Sequence, residues 1–329
     1  MTVTRFSSGE RDAPDLILPI TSSPVTTPIS GNQFILRAGG YDAVIASVGA
    51  SLRSLTFEGR DLVVPFREDE LRPVYRGAML APWPNRVVGG TYEFGGAPEQ
   101  LPITEVERGH ALHGLVVWAD FAKVESSDTS VVLTASVPAQ AGYPHQLRIR
   151  VAYRLDAAGL SVTVTAENIG TSVAPVGLGS HPYLVGGAGR VDDWTVEIPA
   201  EEVLLVDELL APTELTRVAG SEFDFREPRP IGDTFIDHAY TALVAGSDGL
   251  RRVRVHGREG SGVEMVWGSG LDWLQIHTAD RPDATSRCGL AVEPMTCPPD
   301  AFNSGTDLIA LEPQASTSAS WSIAAIHSS

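Results

Sequence analysis

The run Leu147-Arg148-Ile149-Arg150-Val151-Ala152-Tyr153-Arg154-Leu155 places an apolar residue at every odd number and arginine or alanine between. The next run, Leu160-Ser161-Val162-Thr163-Val164-Thr165-Ala166-Glu167, repeats the pattern with Ser, Thr and Glu at the alternate positions. Successive side chains of a strand point to opposite faces, so this period of two buries one face and wets the other. Residues 156–159 between the runs carry turn chemistry, Asp156 first and Gly159 last, which makes the pair a hairpin.

Shorter alternating runs occur at 34–37, 131–137, 253–256 and 321–326, with 32 Gly and 23 Pro punctuating the intervals. No capped amphipathic stretch of helical period exceeds about three turns. Many short strands with turn signals and almost no helix predict an all-β fold, a large antiparallel β-sandwich. Residues 1–30 are rich in Ser, Thr, Pro and Asp and read as a flexible N-terminal leader, leaving 31–329 as a single catalytic sandwich. A Ser/Thr-rich patch at 315–320 reads as low complexity.

With 43% hydrophobic and 20% charged residues, the 329-residue chain has the composition of a globular protein able to bury a large core. Its 41 acidic residues against 24 basic ones give a formal charge of -17, which repels phosphate backbones and anionic lipid. Nucleic acid and membrane are therefore not expected partners, whereas a neutral small molecule feels little of that field. No apolar run approaches the ~20 residues of a membrane span, and the N-terminal order is not that of a signal peptide. Two cysteines, Cys288 and Cys297, are too few for a disulfide framework, and a cytoplasmic location is the simplest expectation.

Five segments carry chemistry. In Pro82-Trp83-Pro84-Asn85-Arg86, followed by a tight reversal at Gly89-Gly90, a proline-stiffened loop delivers Arg86 to the start of a strand. Its guanidinium offers fixed donors to hydroxyls; it could equally pair with a surface carboxylate. In His110-Ala111-Leu112-His113-Gly114, the glycine permits close backbone approach beside His113. Two histidines three apart also suit a metal, but no third ligand follows at zinc-like spacing, and a structural histidine is the plain alternative.

In Gly179-Ser180-His181-Pro182-Tyr183, Pro182 restricts His181 to extended backbone, as suits a presented side chain or a rigid turn. In Gly289-Leu290-Ala291-Val292-Glu293-Pro294, a strand turns Leu290 and Val292 to the core and Ala291 and Glu293 to the other face. Glu293 then lies past side chains too small to block it, either functional or at a wet strand end. Asp237, in Phe235-Ile236-Asp237-His238, could accept two hydroxyl protons or simply form a turn. Trp83, Tyr183, Trp267 and Phe302 are candidates to stack on the apolar face of a ligand, and each also suits the core.

Taken in order, the PWPNR, HG, SHPY, Asp-containing and VEP segments over 31–326 resemble the aldose 1-epimerase (galactose mutarotase) family. The resemblance implies a galactose mutarotase-like supersandwich, no cofactor and no metal, and a free aldohexose as substrate. It also implies His181 as general acid, Glu293 as general base, and Arg86, His113 and Asp237 as substrate binders. Leu184 stands where an aromatic is usual, and the stretch between Tyr183 and Asp237 matches no pattern of the family. The PWPNR form differs from the branch that acts on hexose 6-phosphates.

Interconverting α and β anomers requires removing the anomeric hydroxyl proton while protonating the ring oxygen. A carboxylate of ordinary pKa ~4.3 and an imidazole of ~6.5 can share that work at neutral pH. Nearby carboxylates such as Glu293 and Asp237 are expected to hold His181 protonated. No electrons move, and the chain lacks a Rossmann glycine signature and a phosphate loop. Two other readings stay open: a glycoside hydrolase or lyase using Glu293 and Asp237 as its carboxylate pair, and a non-catalytic sugar-binding module. The sequence leaves monomer and homodimer equally open.

Overall fold

The computed structural model of the protein describes residues 27–327. Leu147–Asp156 and Gly159–Asn168 form the expected hairpin, with Asp156 opposite Gly159. The Asp156 carboxylate accepts the Ala158 N–H at 2.8 Å, and Gly159 takes the positive φ of 120° that closes the turn. The odd-numbered face of the first strand, from Leu147 to Leu155, and Leu160, Val162, Val164 and Ala166 of the second are at most 2% exposed. Each large side chain so buried contributes about 1.5–3 kcal/mol. On the wet face Arg148 and Glu167 pair across the strands, worth at most ~1 kcal/mol at such exposure.

This hairpin is the middle of a nine-stranded sheet. Its order is Ala122–Ser126, Ser130–Val137, Leu147–Asp156, Gly159–Asn168, Ser316–Ile326, Gly262–Trp267, Arg251–His256, Thr195–Glu197 and Arg229–Pro230. The 315–320 patch is therefore no low-complexity tract, because Ser316–Ile326 is an eleven-residue central strand. Its hydroxyls form a cross-strand ladder, Thr163 with Ser320 at 2.9 Å and Thr165 with Ser318 at 2.8 Å, while Ala319, Trp321 and Ile323 point into the core. Small hydroxyl residues suit a strand whose wet face is paired side by side.

A second large sheet runs Pro212–Arg217, Ala200–Val206, Asp237–Leu243, Trp273–His277, Leu290–Met295, Gly179–Ser180 and Met79–Leu80, with Tyr183–Leu184 also paired to Leu290–Met295. Both sheets are antiparallel. A four-stranded sheet, Gln33–Ala38, Tyr41–Ala46, Ser51–Phe57 and Arg60–Asp61, completes the layers. One continuous apolar core joins the three, taking Ile45, Leu155, Trp267, Ile276, Val292 and Trp321 from their inner faces. The sandwich is thus as expected, and the single α-helix among the described residues is the four-residue Ala301–Ser304. None of the helices is long and apolar enough to cross a membrane.

Residues 1–26 of the leader lie outside the described residues. Ser30 is buried, and both its N–H and its hydroxyl donate to the Glu68 carbonyl at 3.0 Å. The Gly89-Gly90 reversal lies between two strands, as expected, but they pair with other partners rather than with each other. Arg86–Val87 pairs with Ala111–Leu112, and Thr91–Phe94 with Ala97–Gln100. The turn's donors are also taken elsewhere: the Val88 N–H goes to the Asp300 carboxylate and the Gly89 N–H to His110 Nδ1.

Candidate active site

Register assembles the site. Across three neighbouring strands Asp237 lies opposite His277, which lies opposite Ala291; two residues along, Ala239, Gln275 and Glu293 form the parallel row. One face of this sheet therefore carries Asp237, Gln275, His277 and Glu293, while Leu274, Ile276, Leu290 and Val292 enter the main core from the other. Ala291, packed with Tyr183 and Ala279, keeps the face low beside the carboxylate. This is the arrangement expected for the VEP segment.

His181 is delivered from the opposite edge of the Glu293 strand. Gly179 pairs with Met295 and Tyr183 with Ala291, so His181, midway, falls opposite Glu293. Its backbone is pinned on both sides: its N–H donates to Ala78 O and its carbonyl accepts from Gly77 N–H. The imidazole stacks on Tyr183 at 5.1 Å between ring centres, with Tyr75 6.2 Å away. His181 Nε2 reaches Glu293 Oε1 at 3.2 Å. Both side chains are buried, and the remaining polar atoms, His181 Nδ1 and Glu293 Oε2, have no hydrogen-bond partner. Buried polar atoms left unpaired cost free energy, and both residues line the same cavity.

His113 has a positive φ of 63°, and Gly114 follows at 79° with no room for a side chain: a Cβ there would sit 2.1 Å from Ala81 O. The Asn85 N–H donates to His113 Nδ1 at 3.2 Å, which leaves the Nε2 proton as a donor. Arg86 is gripped at both ends of a fork by Glu105, Nε to Oε2 at 2.8 Å and Nη2 to Oε1 at 3.0 Å, and its Nη1 donates to Asn85 Oδ1 at 3.2 Å. It is partly committed rather than wholly free, and its ion pair is almost buried rather than at the surface. Asp237 accepts from Gln275 Nε2 at 2.7 Å, with His277 Nδ1 3.5 Å from its other oxygen.

All five predicted residues, Arg86, His113, His181, Asp237 and Glu293, line one cavity of about 390 Å³, within the ~300–1,000 Å³ typical of small-molecule sites. Sequence reasoning missed Tyr75, Glu105 and His277, which also line it, and Gln275, which holds Asp237. Gln275 and His277 alternating with the apolar Leu274 and Ile276 in Trp273–His277 was the available signal. Of the four aromatic candidates only Tyr183 lines the cavity. Trp83 and Phe302 pack on each other at 5.4 Å, and Trp267 donates to Leu271 O inside the core. His110 stays apart from His113, bonding Gly89 and Leu209 O instead.

Burial opposes the charge state expected for the pair. Desolvation, aided by the positive charges of His277, Arg72 and Arg86, lowers the His181 pKa well below its ordinary 6.5. Desolvation and the neighbouring Asp237 raise Glu293 well above 4.5, with Arg86 opposing. Both shifts favour the uncharged forms, neutral imidazole and carboxylic acid, over the ion pair expected from the sequence. The pKa of His113 is likewise lowered well below 6.5, chiefly by desolvation. Nitrogen and carboxylate atoms of His113, His181 and Glu293 lie within 4.8 Å of one another, but with Nδ1 accepting the Asn85 N–H and the proton on Nε2, His113 offers no lone pair to a metal ion.

The aldose 1-epimerase family profile matches residues 32–324. The chain belongs to the aldose 1-epimerase family. Relatives span most of its length: it is 41% identical to the uncharacterised protein YihR of Escherichia coli K12 over 284 residues, 86% of this chain and 90% of that one. It is 31% identical over 278 residues to the galactose mutarotase of Bos taurus, covering 77% and 79% of the two chains. Among solved structures, the aldose epimerase homologue from C. elegans superimposes with a TM-score of 0.80 at 20% identity, over 91% of this chain and 100% of that one. The galactose 1-epimerase of Lactobacillus acidophilus gives 0.74 at 18% identity, over 90% and 95%. The fold of this family member is accordingly the galactose mutarotase-like one, as its segments implied.

Proposed function

We propose that this aldose 1-epimerase family member is a cofactor-independent isomerase that interconverts the α and β anomers of a free aldohexose, with His181 and Glu293 as its proton-transfer pair. The observation that carries the reading is the 3.2 Å contact between His181 Nε2 and Glu293 Oε1, each residue keeping one unpaired polar atom at the cavity.

The pair holds one proton whichever residue bears it, so a single transfer interconverts neutral imidazole with carboxylic acid and imidazolium with carboxylate. Sugar hydroxyls donating to the unpaired Glu293 oxygen favour the carboxylate and move the proton to His181. Ring opening follows: His181 protonates the ring oxygen, Glu293 takes the anomeric hydroxyl proton, the bond from C1 to the ring oxygen breaks and a C1 carbonyl forms. The pair then stands as neutral His181 and protonated Glu293, the state that burial favours.

Rotation about C1–C2 and reversal of both transfers closes the ring on the other face. Arg86, His113 and Asp237 bind hydroxyls, each held by a partner that fixes its direction. A monomer or homodimer in the cytoplasm, without nucleic acid or membrane partners, accords with the acidic charge and with Cys288 and Cys297 both being free thiols.

Polarimetry on freshly dissolved α-glucose and α-galactose tests the reading. Wild type should accelerate equilibration, and Glu293→Gln should lose ~10²–10⁴ of the rate. A variant as fast as wild type removes Glu293 from the role of base. Release of reducing ends from an oligosaccharide, with free sugars unaffected, would make the protein a glycosidase instead.

A further inference from the structure

Arg86 has five N–H groups, and its partners can be counted. Nε and one proton of Nη2 go to Glu105, and one proton of Nη1 goes to Asn85 Oδ1. One proton remains on each terminal nitrogen, at the end of a side chain that lines the cavity. Glu105 is itself held: Arg108 donates to its Oε1 at 2.8 Å, and its carbonyl accepts the Gly109 N–H at 2.8 Å in a tight loop. That loop is anchored by His110, whose ring binds Gly89 N–H and Leu209 O.

We infer that Glu105 is a positioning residue that makes Arg86 a two-donor fork for a pair of adjacent sugar oxygens. The inference rests on the proposed sugar site and adds to it the group that aims the guanidinium. A planar cation whose side edge is locked by a carboxylate can rotate neither about its last torsions nor away from the ligand, so its terminal donors arrive already aimed. Glu105 also supplies the negative charge that an almost buried Arg86 requires. The ligand class read by such a fork is a vicinal pair of hydroxyls, or a hydroxyl beside the ring oxygen.

A double-mutant cycle on sugar affinity tests this, read by NMR titration of D-galactose and D-glucose, which needs no turnover. Glu105→Gln should weaken binding about tenfold in the wild-type background and less than about twofold when Arg86 is already Ala. In turnover the loss should appear in KM, with kcat within about threefold. Equal losses in both backgrounds, or a fall confined to kcat, would overturn the positioning role. Glu105→Asp, with its charge kept and its reach shortened, should bind as poorly as Glu105→Gln if aim matters, and as well as wild type if charge alone does. Wild type that binds sugar but does not accelerate mutarotation would refute the proposed function and leave the cycle readable; failure to bind either sugar would overturn both.

Discussion

His181 and Glu293 stand opposite each other across adjacent strands, midway between the Gly179–Met295 and Tyr183–Ala291 pairs, with 3.2 Å between Nε2 and Oε1. A contact set by ladder register is rigid, because moving one residue along either strand would turn the side chain to the other face. The reacting pair is thus built into the sheet rather than hung on a loop.

The first expectation concerns where their proton resides. His181 is held below its ordinary 6.5, so it takes a second proton only on the acid side of that value. Glu293 is raised above 4.5, so it remains protonated beyond the usual carboxylate range. Difference infrared spectra at about pH 6 to 7 should show a protonated carboxyl band that Glu293→Gln removes. If no such band disappears, Glu293 is ionised in the sugar-free protein.

Acid should destabilise the protein through its buried histidines. His113, His181 and His238 have folded pKa values depressed by desolvation, so below about pH 6.5 the unfolded chain binds more protons than the native one. Stability is then lost as pH falls from 6.5 through the depressed folded values. Glu293 acts in the opposite sense, its contribution fading as pH rises above 4.5. Three histidines against one carboxylate predict that Tm drops on acidification from neutrality. His113→Asn should flatten that slope in a calorimetric series; an unchanged slope would mean that His113 is not neutral in the fold.

Gly114→Ala probes the backbone behind His113. At φ 79°, with a Cβ 2.1 Å from Ala81 O, alanine is both strained and obstructed. A loss of about 1–3 kcal/mol or more is expected in urea unfolding, accompanied by weaker sugar binding as His113 shifts. Wild-type stability in this variant would show that the loop has another geometry.

Sandwich class was legible because alternation reports burial directly: Leu147 to Leu155 and Leu160 to Ala166 are buried on the face the pattern assigns. The motifs also named the five side chains that meet in the cavity. Where alternation was hidden by composition, as in 316–320, only the 321–326 end of the strand Ser316–Ile326 was legible, since hydroxyl residues pack on a partner strand that local sequence does not reveal.

What the sequence determined by itself was therefore the period-two pattern, the turn residues and the identity of the donors and acceptors, all properties of neighbours along the chain. The tertiary structure alone decided which of them touch. Residues as distant as 181 and 293, or 86 and 105, meet through ladder register and loop anchoring. It also sets the protonation balance, because desolvation depends on what surrounds a group in space, and that opposes the charges expected for His181 and Glu293.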